Sequence, residues 1–360
     1  MIVNHNRCNW QPLENYCQPM KQKVKSNLQL NSEQQAVIAT RKGHFAILAG
    51  PGSGKSECLI QRYNALVSEG ENPHEIISLT FTRAAAKNMQ NRAATTTMTV
   101  GDRPFGFKTF HGIALDFCVQ ERDTFPFPLA AFPLATGGQV WKFAGDIARR
   151  YAGMDVKQLL GWMSKQKRSG TKPDYLVAHA EDIRERVYAL AYKEYEERCR
   201  KAGILDFDDL LLYMDEILSV YPAVRNRWQY KWVMIDEAND ADLVQWRLVQ
   251  TISQKHGNVF AVGDFNQAIY QWRGAEPELF LKFHEMFPDA KYLYLGTNYR
   301  STQAIVDFIK QIAPVKNELL EKFCSVSEQG EPVAFQGFAS PLLEARWVVE
   351  RIKEINDGKI

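Results

Sequence analysis

The sequence lacks the features of several protein classes. No apolar run approaches the roughly 20 residues that a membrane-spanning helix needs. The first 29 residues have neither the apolar core nor the small-residue cleavage site of a signal peptide. The six cysteines form no CxxC pair, which predicts reduced thiols in a cytoplasmic protein. Internal repeats and low-complexity tracts are also missing. We therefore expect a folded cytoplasmic protein with no membrane contact.

Charge and composition are close to balance. The chain of 360 residues carries 44 basic and 42 acidic side chains, a net charge of +2. Its 45% hydrophobic and 24% charged residues match soluble globular proteins and exclude a disordered tail, a collagen-like repeat and a coiled coil. At about 150 residues per domain, the length predicts two domains, or two and part of a third. A net charge this small does not by itself indicate a nucleic-acid partner.

Short apolar runs alternate with helical patterns from residue 30 onwards. This alternation predicts an α/β fold with a parallel sheet covered on both faces, whose ligands bind at the carboxyl ends of the strands. Asn31 or Ser32 is expected to cap the first helix, which ends near Ile38. Residues 1–29 are interpreted as a loosely ordered leader, with a short docked helix at 24–28 as the alternative. The predicted strands are 45–49, 76–81, 233–235 and 259–262, and a helix is predicted at 84–94.

The loop after the first strand carries the clearest chemical signal. It matches the P-loop pattern of nucleotide-binding proteins, except that Ala49 replaces the first glycine. Such a loop turns backbone N–H groups towards a triphosphate at the start of a helix. Lys55 is expected to reach the β- and γ-phosphates of ATP, and the Ser56 hydroxyl to bind Mg²⁺. The residues expected to line the triphosphate are Ala49, Gly50, Pro51, Gly52, Ser53, Gly54, Lys55 and Ser56.

An apolar strand that ends in Asp236-Glu237 supplies the acidic partner of such a loop. Asp236 is expected beside the metal, and Glu237 beside the γ-phosphate, where it could accept a proton from the attacking water. The alternative for an isolated Asp-Glu pair is a solvated strand end. Its combination with a P-loop 181 residues earlier (236 minus 55) makes the site specific and leaves room for an inserted domain.

The segment between about 112 and 204 has a helical pattern and is predicted to be that insertion. Within it, residues 142–172 carry eight basic side chains against Asp146 and Asp155, a local charge of +6. Contact with DNA and an ordinary solvated helix face are both consistent with this excess. The basic residues are Lys142, Arg149, Arg150, Lys157, Lys165, Lys167, Arg168 and Lys172.

Seven ordered segments resemble the UvrD/Rep/PcrA-like superfamily 1 DNA helicases. They are Leu30–Gln34, Ile77–Ala86, Lys108–Gly112, Leu205–Leu211, Ile235–Asp240, Val262–Ala275 and Asn298–Ser301. The resemblance implies a RecA-like P-loop NTPase sheet with an inserted helical domain and the start of a second RecA-like domain. The implied division is 30–111 with 205–297 for the first motor domain, 112–204 for the insertion and 298–360 for the second motor domain.

The same resemblance implies roles around ATP and on single-stranded DNA. Gln34 would read the adenine, Tyr299 would stack on it, Gln267 would sense the γ-phosphate, and Arg300 would act as an arginine finger. For Tyr270 a packing role and for His111 a loop-holding role remain equal alternatives to DNA contact. The residues implied to contact a single strand, or a junction of single and double strands, are Phe81, Thr82, Arg83, Thr109, Phe110, His111, Tyr270, Trp272 and Arg273.

Three residues depart from the family pattern, and the chain ends early in the second motor domain. Asn239 stands where glutamine is usual, so its hydrogen bond across the cleft is expected to pass through water or to be lost. Glu57 brings a carboxylate close to the triphosphate, and Arg83 replaces an asparagine and should strengthen a phosphate contact. The sequence thus predicts an ATP-dependent 3′-to-5′ helicase. The alternatives are an ATP- and DNA-binding module that does not unwind, and a nonfunctional remnant.

Overall fold

A six-stranded parallel sheet organises the fold. The structure, a computed structural model, describes residues 30–93, 105–151, 154–268, 275–314 and 318–357. The strands of the large sheet are β1 (His44–Ala49), β2 (Ile76–Thr80), β3 (Gly106–Thr109), β4 (Trp232–Ile235), β5 (Val259–Gly263) and β6 (Lys291–Leu295). Their order is β3-β2-β4-β5-β1-β6, and every neighbouring pair is parallel. The predicted parallel sheet is confirmed.

Helices connect these strands, and a small second sheet follows them. The first eight helices are α1 (Ser32–Ile38), α2 (Lys55–Ser68), α3 (Arg83–Arg92), α4 (Phe110–Gln120), α5 (Gly137–Ala148), α6 (Val156–Arg168), α7 (Pro173–His179) and α8 (Ile183–Ala202). The next eight are α9 (Phe207–Val220), α10 (Pro222–Arg227), α11 (Leu243–Ser253), α12 (Pro277–Leu281), α13 (Phe283–Met286), α14 (Gln303–Ile312), α15 (Glu318–Lys322) and α16 (Pro341–Asn356). The second sheet pairs β7 (Thr297–Asn298) with β8 (Cys324–Ser325) in parallel.

Both faces of the large sheet are buried. Along β1, Ala46 and Leu48 belong to the apolar cluster formed with α4, α9 and α11, while Ile47 and Ala49 belong to the cluster formed with α2. Successive side chains of a strand point to opposite faces, so an uninterrupted apolar run fits a strand that is covered on both sides. This double burial explains why the central strands could be predicted from short apolar runs.

Helices α5, α6, α7 and α8 build a separate apolar cluster with Tyr192 and Tyr195 at its centre. Helix α4 begins two residues before the predicted boundary at 112, but Ile113 and Phe117 on this helix pack into the core of the sheet. Helix α9 does the same through Leu210 and Met214. The division into motor domains and insertion stays a prediction, which the separate helical cluster supports.

The last part of the chain is the most exposed. Helix α16 has no buried residue. The segment 333–338 has no strand partner among the described residues. Within the ranges described above, we find no helix with the length and apolar character to cross a bilayer.

Candidate functional site

The candidate residues gather at the carboxyl edge of the large sheet. The P-loop follows β1, Phe81 and Thr82 follow β2, and the acidic pair follows β4. The segment with Gln267 follows β5, and the segment with Tyr299 and Arg300 follows β6. Since parallel strands bring their carboxyl ends to one edge, this sheet assembles residues far apart in sequence, as the pattern predicts.

Two positions of the P-loop require glycine because of their backbone conformation. Gly52 and Gly54 have φ angles of 68° and 84°, in the left-handed region that side chains rarely adopt. Ala49, in contrast, is the fully buried last residue of β1 and does not have a positive φ. An alanine is therefore compatible with this position, and the departure from the P-loop pattern leaves the turn intact.

Ser56 and Asp236 meet beside buried Lys55. The Ser56 hydroxyl donates a hydrogen bond of 3.1 Å to Oδ2 of Asp236. The other carboxylate oxygen, Oδ1, is buried and has no hydrogen-bond partner in the described part of the chain. Burial, and next the charge of Glu237, raise the pKa of Asp236 to about 7. An unpartnered buried carboxylate oxygen beside a hydroxyl fits Mg²⁺, which takes one or two carboxylates and keeps several waters.

Glu237 has an unusual backbone conformation. Its φ of 50° and ψ of 45° lie in the left-handed region, which costs a non-glycine residue about 1–2 kcal/mol. Strain of this kind clusters at functional sites, where the surrounding structure holds it in place.

Asn239 makes a direct contact despite its short side chain. Its Oδ1 accepts a hydrogen bond of 2.9 Å from the backbone N–H of Asp264, which links the ends of β4 and β5. Gly263 leaves room for this side chain, because a Cβ at that position would lie 2.7 Å from Oδ1 of Asn239. Between these two strands, no water is needed to complete the bond.

Asp264 itself is a site residue that the sequence motifs did not single out. It is almost completely buried, and burial raises its pKa to about 6, while the charge of Lys55 acts in the opposite direction. The Gln267 side chain lies close enough to this carboxyl group to lower its pKa. Gln267 thus lies beside the acidic residues around Lys55, as a sensor of phosphate would need to.

Gln34 and Tyr299 lie on the opposite side of the P-loop. Asn31 caps α1, and the Gln34 side chain completes the capping box while its Nε2 donates to the Ser53 carbonyl at 3.1 Å. The Tyr299 side chain bonds to the Asn31 side chain. The two residues implied to hold adenine therefore both lie beside Asn31 at the start of α1.

Glu57 is neutralised within the protein. Its carboxylate forms an ion pair with Arg92 of α3 and accepts a hydrogen bond of 2.7 Å from Gln61, one turn further along α2. Because its charge is already paired with a cation, Glu57 repels a bound triphosphate less than an unpaired carboxylate would.

The residues predicted to contact DNA divide into supporting and exposed positions. The hydroxyls of Thr82 and Thr109 cap α3 and α4 by accepting from backbone N–H groups at 3.1 Å and 2.9 Å. Phe110 is 1% exposed and packs against Phe81 at a ring distance of 5.5 Å, so its ring has no face open to a base. Arg83 is exposed at the start of α3. Phe81 and Arg83 are accordingly better placed for contact than Phe110.

A cavity of about 200 Å³ lies beside these residues. His111 and Phe207 stack there at a ring distance of 3.8 Å. Burial, and next the charge of Arg168, lower the pKa of His111 to about 3, which keeps the imidazole neutral. Phe207 had no assigned role in the sequence, although it belongs to a segment that resembles the helicases, and Arg168 is one of the eight basic residues of the segment 142–172. The cavity is lined by Phe81, Thr82, His111, Arg168, Phe207, Asp240, Asp242, Gln245 and Ala275.

Comparison with known proteins places the chain in a family. The family model for the UvrD/REP helicase N-terminal domain matches residues 30–288. The chain belongs to the UvrD/REP helicase family. DNA helicase II of Salmonella typhimurium and that of Escherichia coli are each 30% identical over 338 residues, which cover 91% of this chain and 46% of the relative. The ATP-dependent DNA helicase PcrA of Leuconostoc citreum is 27% identical over 337 residues, 92% of this chain and 45% of the relative. The chain thus spans about half the length of these UvrD/REP relatives.

Two features implied by the UvrD/REP resemblance have different outcomes. Tyr270, Trp272 and Arg273 lie outside the described residues, so their roles stay predictions.

The structure describes all eight basic residues of the segment 142–172. Acidic residues outside the segment form ion pairs with several of them. Ion pairs join Arg150 to Glu194, Lys167 to Glu196, Asp206 and Asp209, Arg168 to Asp208, and Lys172 to Glu216. The local excess of +6 therefore overstates the charge that this surface offers to DNA.

Proposed function

We propose that the chain is the nucleotide-binding part of a superfamily 1A DNA helicase, which hydrolyses ATP with Mg²⁺ and moves 3′-to-5′ along single-stranded DNA. The observation that carries the proposal is the 3.1 Å hydrogen bond between Ser56 and Asp236 beside buried Lys55. This bond joins residues 180 positions apart, so the phosphate loop and the acidic end of β4 form one site. The direction of movement rests on family membership.

The residues of this site have complementary roles in phosphoryl transfer. Lys55 offsets the charge of the phosphates, and Ser56 and Asp236 hold Mg²⁺. The bound ion supplies charge neutralisation at the phosphate oxygens. Glu237 orients the attacking water and accepts its proton. Arg300 adds positive charge where negative charge develops in the transition state.

The adenine site lies between α1 and the segment after β6. The Gln34 amide keeps one N–H and one lone pair free for the base after its bonds to Ser53 and Asn31. Tyr299 is 43% exposed and offers a ring for stacking. Both residues are joined to the P-loop, so adenine and triphosphate would be recognised by one connected structure.

Single-stranded DNA, alone or at a junction with a duplex, would follow the carboxyl ends of β2 and β3. Phe207 is 51% exposed and is supported on its other face by His111. An exposed aromatic ring that is held in place can stack on a base of any sequence, a contact worth about 1–3 kcal/mol per base. Arg83, exposed at the start of α3, supplies a cation at the same edge of the sheet, which favours the phosphate backbone.

The first experiment measures ATP hydrolysis with and without oligo-dT, at low and moderate salt. The wild-type protein should hydrolyse ATP in a Mg²⁺-dependent manner, and DNA should accelerate the reaction. Glu237→Gln should lower kcat by about 10²–10⁴-fold, the range for loss of a general base. Glu278→Gln changes the same chemical group at an exposed site and serves as the control. Equal activity of Lys55→Ala and wild type would refute the proposal.

The second experiment measures the binding of labelled oligo-dT by fluorescence anisotropy. Phe207→Ala should weaken binding by roughly 5- to 150-fold, which corresponds to one lost stacked base. Phe132→Ala removes an exposed aromatic ring elsewhere and should bind as wild type does. If ATP is bound and hydrolysed but DNA neither binds nor accelerates hydrolysis, the DNA part of the proposal fails. ATP and DNA binding without unwinding above the Lys55→Ala control would favour the binding module.

A further inference from the structure

Asn298 connects the P-loop to the segment that carries Arg300. This asparagine is fully buried, and its Nδ2 donates a hydrogen bond of 2.7 Å to the carbonyl of Pro51. Its Oδ1 accepts from the backbone N–H groups of Arg300 at 2.8 Å and Ser301 at 2.7 Å. One side chain therefore fixes the turn at residues 298–301 and attaches that turn to the phosphate loop.

Glu33 holds the start of the same segment from the other side. Its Oε2 accepts from the N–H groups of Gly296 at 3.0 Å and Thr297 at 3.3 Å, and from the Thr297 hydroxyl at 3.2 Å. Glu33 is the neighbour of Gln34, whose amide bonds to the P-loop carbonyl of Ser53. A single turn of α1 thus binds both the phosphate loop and the segment after β6.

Backbone contacts complete the connection and leave little free space. The Tyr299 N–H donates to the Gly52 carbonyl at 2.9 Å, and the Gly50 N–H donates to the Leu295 carbonyl at 3.1 Å. A Cβ on Gly52 would lie 2.8 Å from Cβ of Arg300. Because the two segments touch at this distance, a shift of the P-loop carbonyls has to move the segment with Arg300 as well.

We propose that Glu33 and Asn298 are positioning residues for ATP hydrolysis, which hold Tyr299 and Arg300 at a fixed place relative to the P-loop. This inference rests on the proposed function. Glu33 acts through the backbone at 296–297 and Asn298 through the backbone at 298–301. Movement of the P-loop on binding ATP is thereby transmitted to the arginine that completes the site.

Two substitutions separate this role from a general effect on folding. Asn298→Asp keeps an oxygen that can accept from the N–H groups of Arg300 and Ser301, but it replaces the donor to Pro51 by a second acceptor. The turn should persist while its attachment to the P-loop is lost. Glu33→Gln keeps an oxygen acceptor, whereas Glu33→Ala removes it. Ser32→Ala, at an exposed position of the same helix, is the control.

Hydrogen–deuterium exchange at single-amide resolution tests the attachment in the nucleotide-free protein. In Asn298→Asp, the Tyr299 amide should exchange at least about tenfold faster, because its bond to Gly52 depends on the attachment, while Ser301 changes little. In Glu33→Ala, the Gly296 and Thr297 amides should exchange faster, with Glu33→Gln close to wild type. Unchanged exchange at Tyr299 and Thr297 in these variants would overturn the inference.

Steady-state kinetics test the effect on Arg300. Asn298→Asp should lower kcat by about 10- to 100-fold, since a misplaced group far from the chemistry can cost this much, with KM for ATP changed less than about threefold. Arg300→Ala should add little in the Asn298→Asp background, because both changes remove the same interaction. Additive effects of the two substitutions would overturn the inference. If wild type does not hydrolyse ATP, the proposed function fails, and the exchange experiment alone decides the attachment.

Discussion

Replacement of Lys167 by methionine should destabilise the protein more than replacement of any exposed lysine. The Lys167 ammonium is 1% exposed and lies 2.7 Å from Glu196, 2.7 Å from Asp206 and 2.5 Å from Asp209. Burial would lower its pKa, but the charges of these carboxylates outweigh burial and raise the pKa well above its ordinary value. The cation joins α6, α8 and α9, which makes it a link between the inserted helices and the sheet.

The expected loss follows from the charges that remain. Methionine fills a similar volume, so the main effect is that buried carboxylates face each other without a cation. Breaking a buried ion pair by removing one partner costs about 3–5 kcal/mol, and at least one acid should take up a proton in response. For a chain of this size such a loss lowers Tm by roughly 4–7 °C. Since the folded pKa of Lys167 is raised, its contribution is complete at neutral pH and is lost only as the pH rises through that high value.

Thermal and urea unfolding at pH 7 measure this loss. Lys165→Met is the matched control, because Lys165 is exposed two residues earlier on the same helix. The control should change the free energy of unfolding by less than about 0.5 kcal/mol. Asp209→Asn added to Lys167→Met should recover part of the stability, because it removes one uncompensated charge. A Lys167→Met protein as stable as the control would refute the assignment of this cluster as a structural link.

Three further predictions concern the sheet edge. Without Mg²⁺, Tm should fall as the pH rises from about 5 to 8, because burial raises the pKa of Asp236 in the folded protein from 3.8 to about 7 and its contribution to stability is lost as the pH rises through that value. Mg²⁺ should oppose the fall. Asp236→Asn should make the fall smaller, and the part that remains comes from acids such as Asp264, whose pKa is also raised by burial. Gly52→Ala should lower ATP hydrolysis at least about tenfold, because its Cβ would lie 2.8 Å from Cβ of Arg300. Gly70→Ala is the control, since Gly70 has a φ of 91° but open space around it. It should cost only backbone strain of about 1–2 kcal/mol, measured by thermal unfolding. Phe110→Ala should cost about 3–5 kcal/mol of stability in urea unfolding, while Phe81→Ala should mainly weaken oligo-dT binding.

The central strands and the phosphate site could be predicted because their signals are local. Strands β1, β2, β4 and β5 are buried on both faces, so each is a mostly apolar run. The edge strands β3 and β6 could not be predicted, because they are not long buried apolar runs. β6, with the sequence Lys-Tyr-Leu-Tyr-Leu, is half-exposed, and β3 has only four residues. Neither resembles a buried run, and only the completed sheet shows that they belong to it.

Charge compensation could not be predicted from the same local signals. The basic segment 142–172 looks like a cationic surface in sequence, but its partners Glu194, Asp208 and Glu216 follow it by up to several tens of residues. Lys167 is the extreme case, since a lysine among polar neighbours in the sequence proves to be completely enclosed. The net charge of a sequence segment does not equal the charge of the surface it forms, because acidic residues from distant parts of the chain pair with its cations.

The same limitation applies to the connection between the P-loop and the segment with Arg300. Glu33 and Asn298 lie in two different family-like segments, separated by 265 positions (298 minus 33), and no spacing rule relates them. In the structure β6 lies directly beside β1, so the two strands deliver the P-loop and Gly296–Arg300 to adjacent points of one edge. Carbonyls of the phosphate loop then become acceptors for Asn298 and Tyr299. The order of the strands, rather than any motif, therefore joins the P-loop to the segment that carries Arg300.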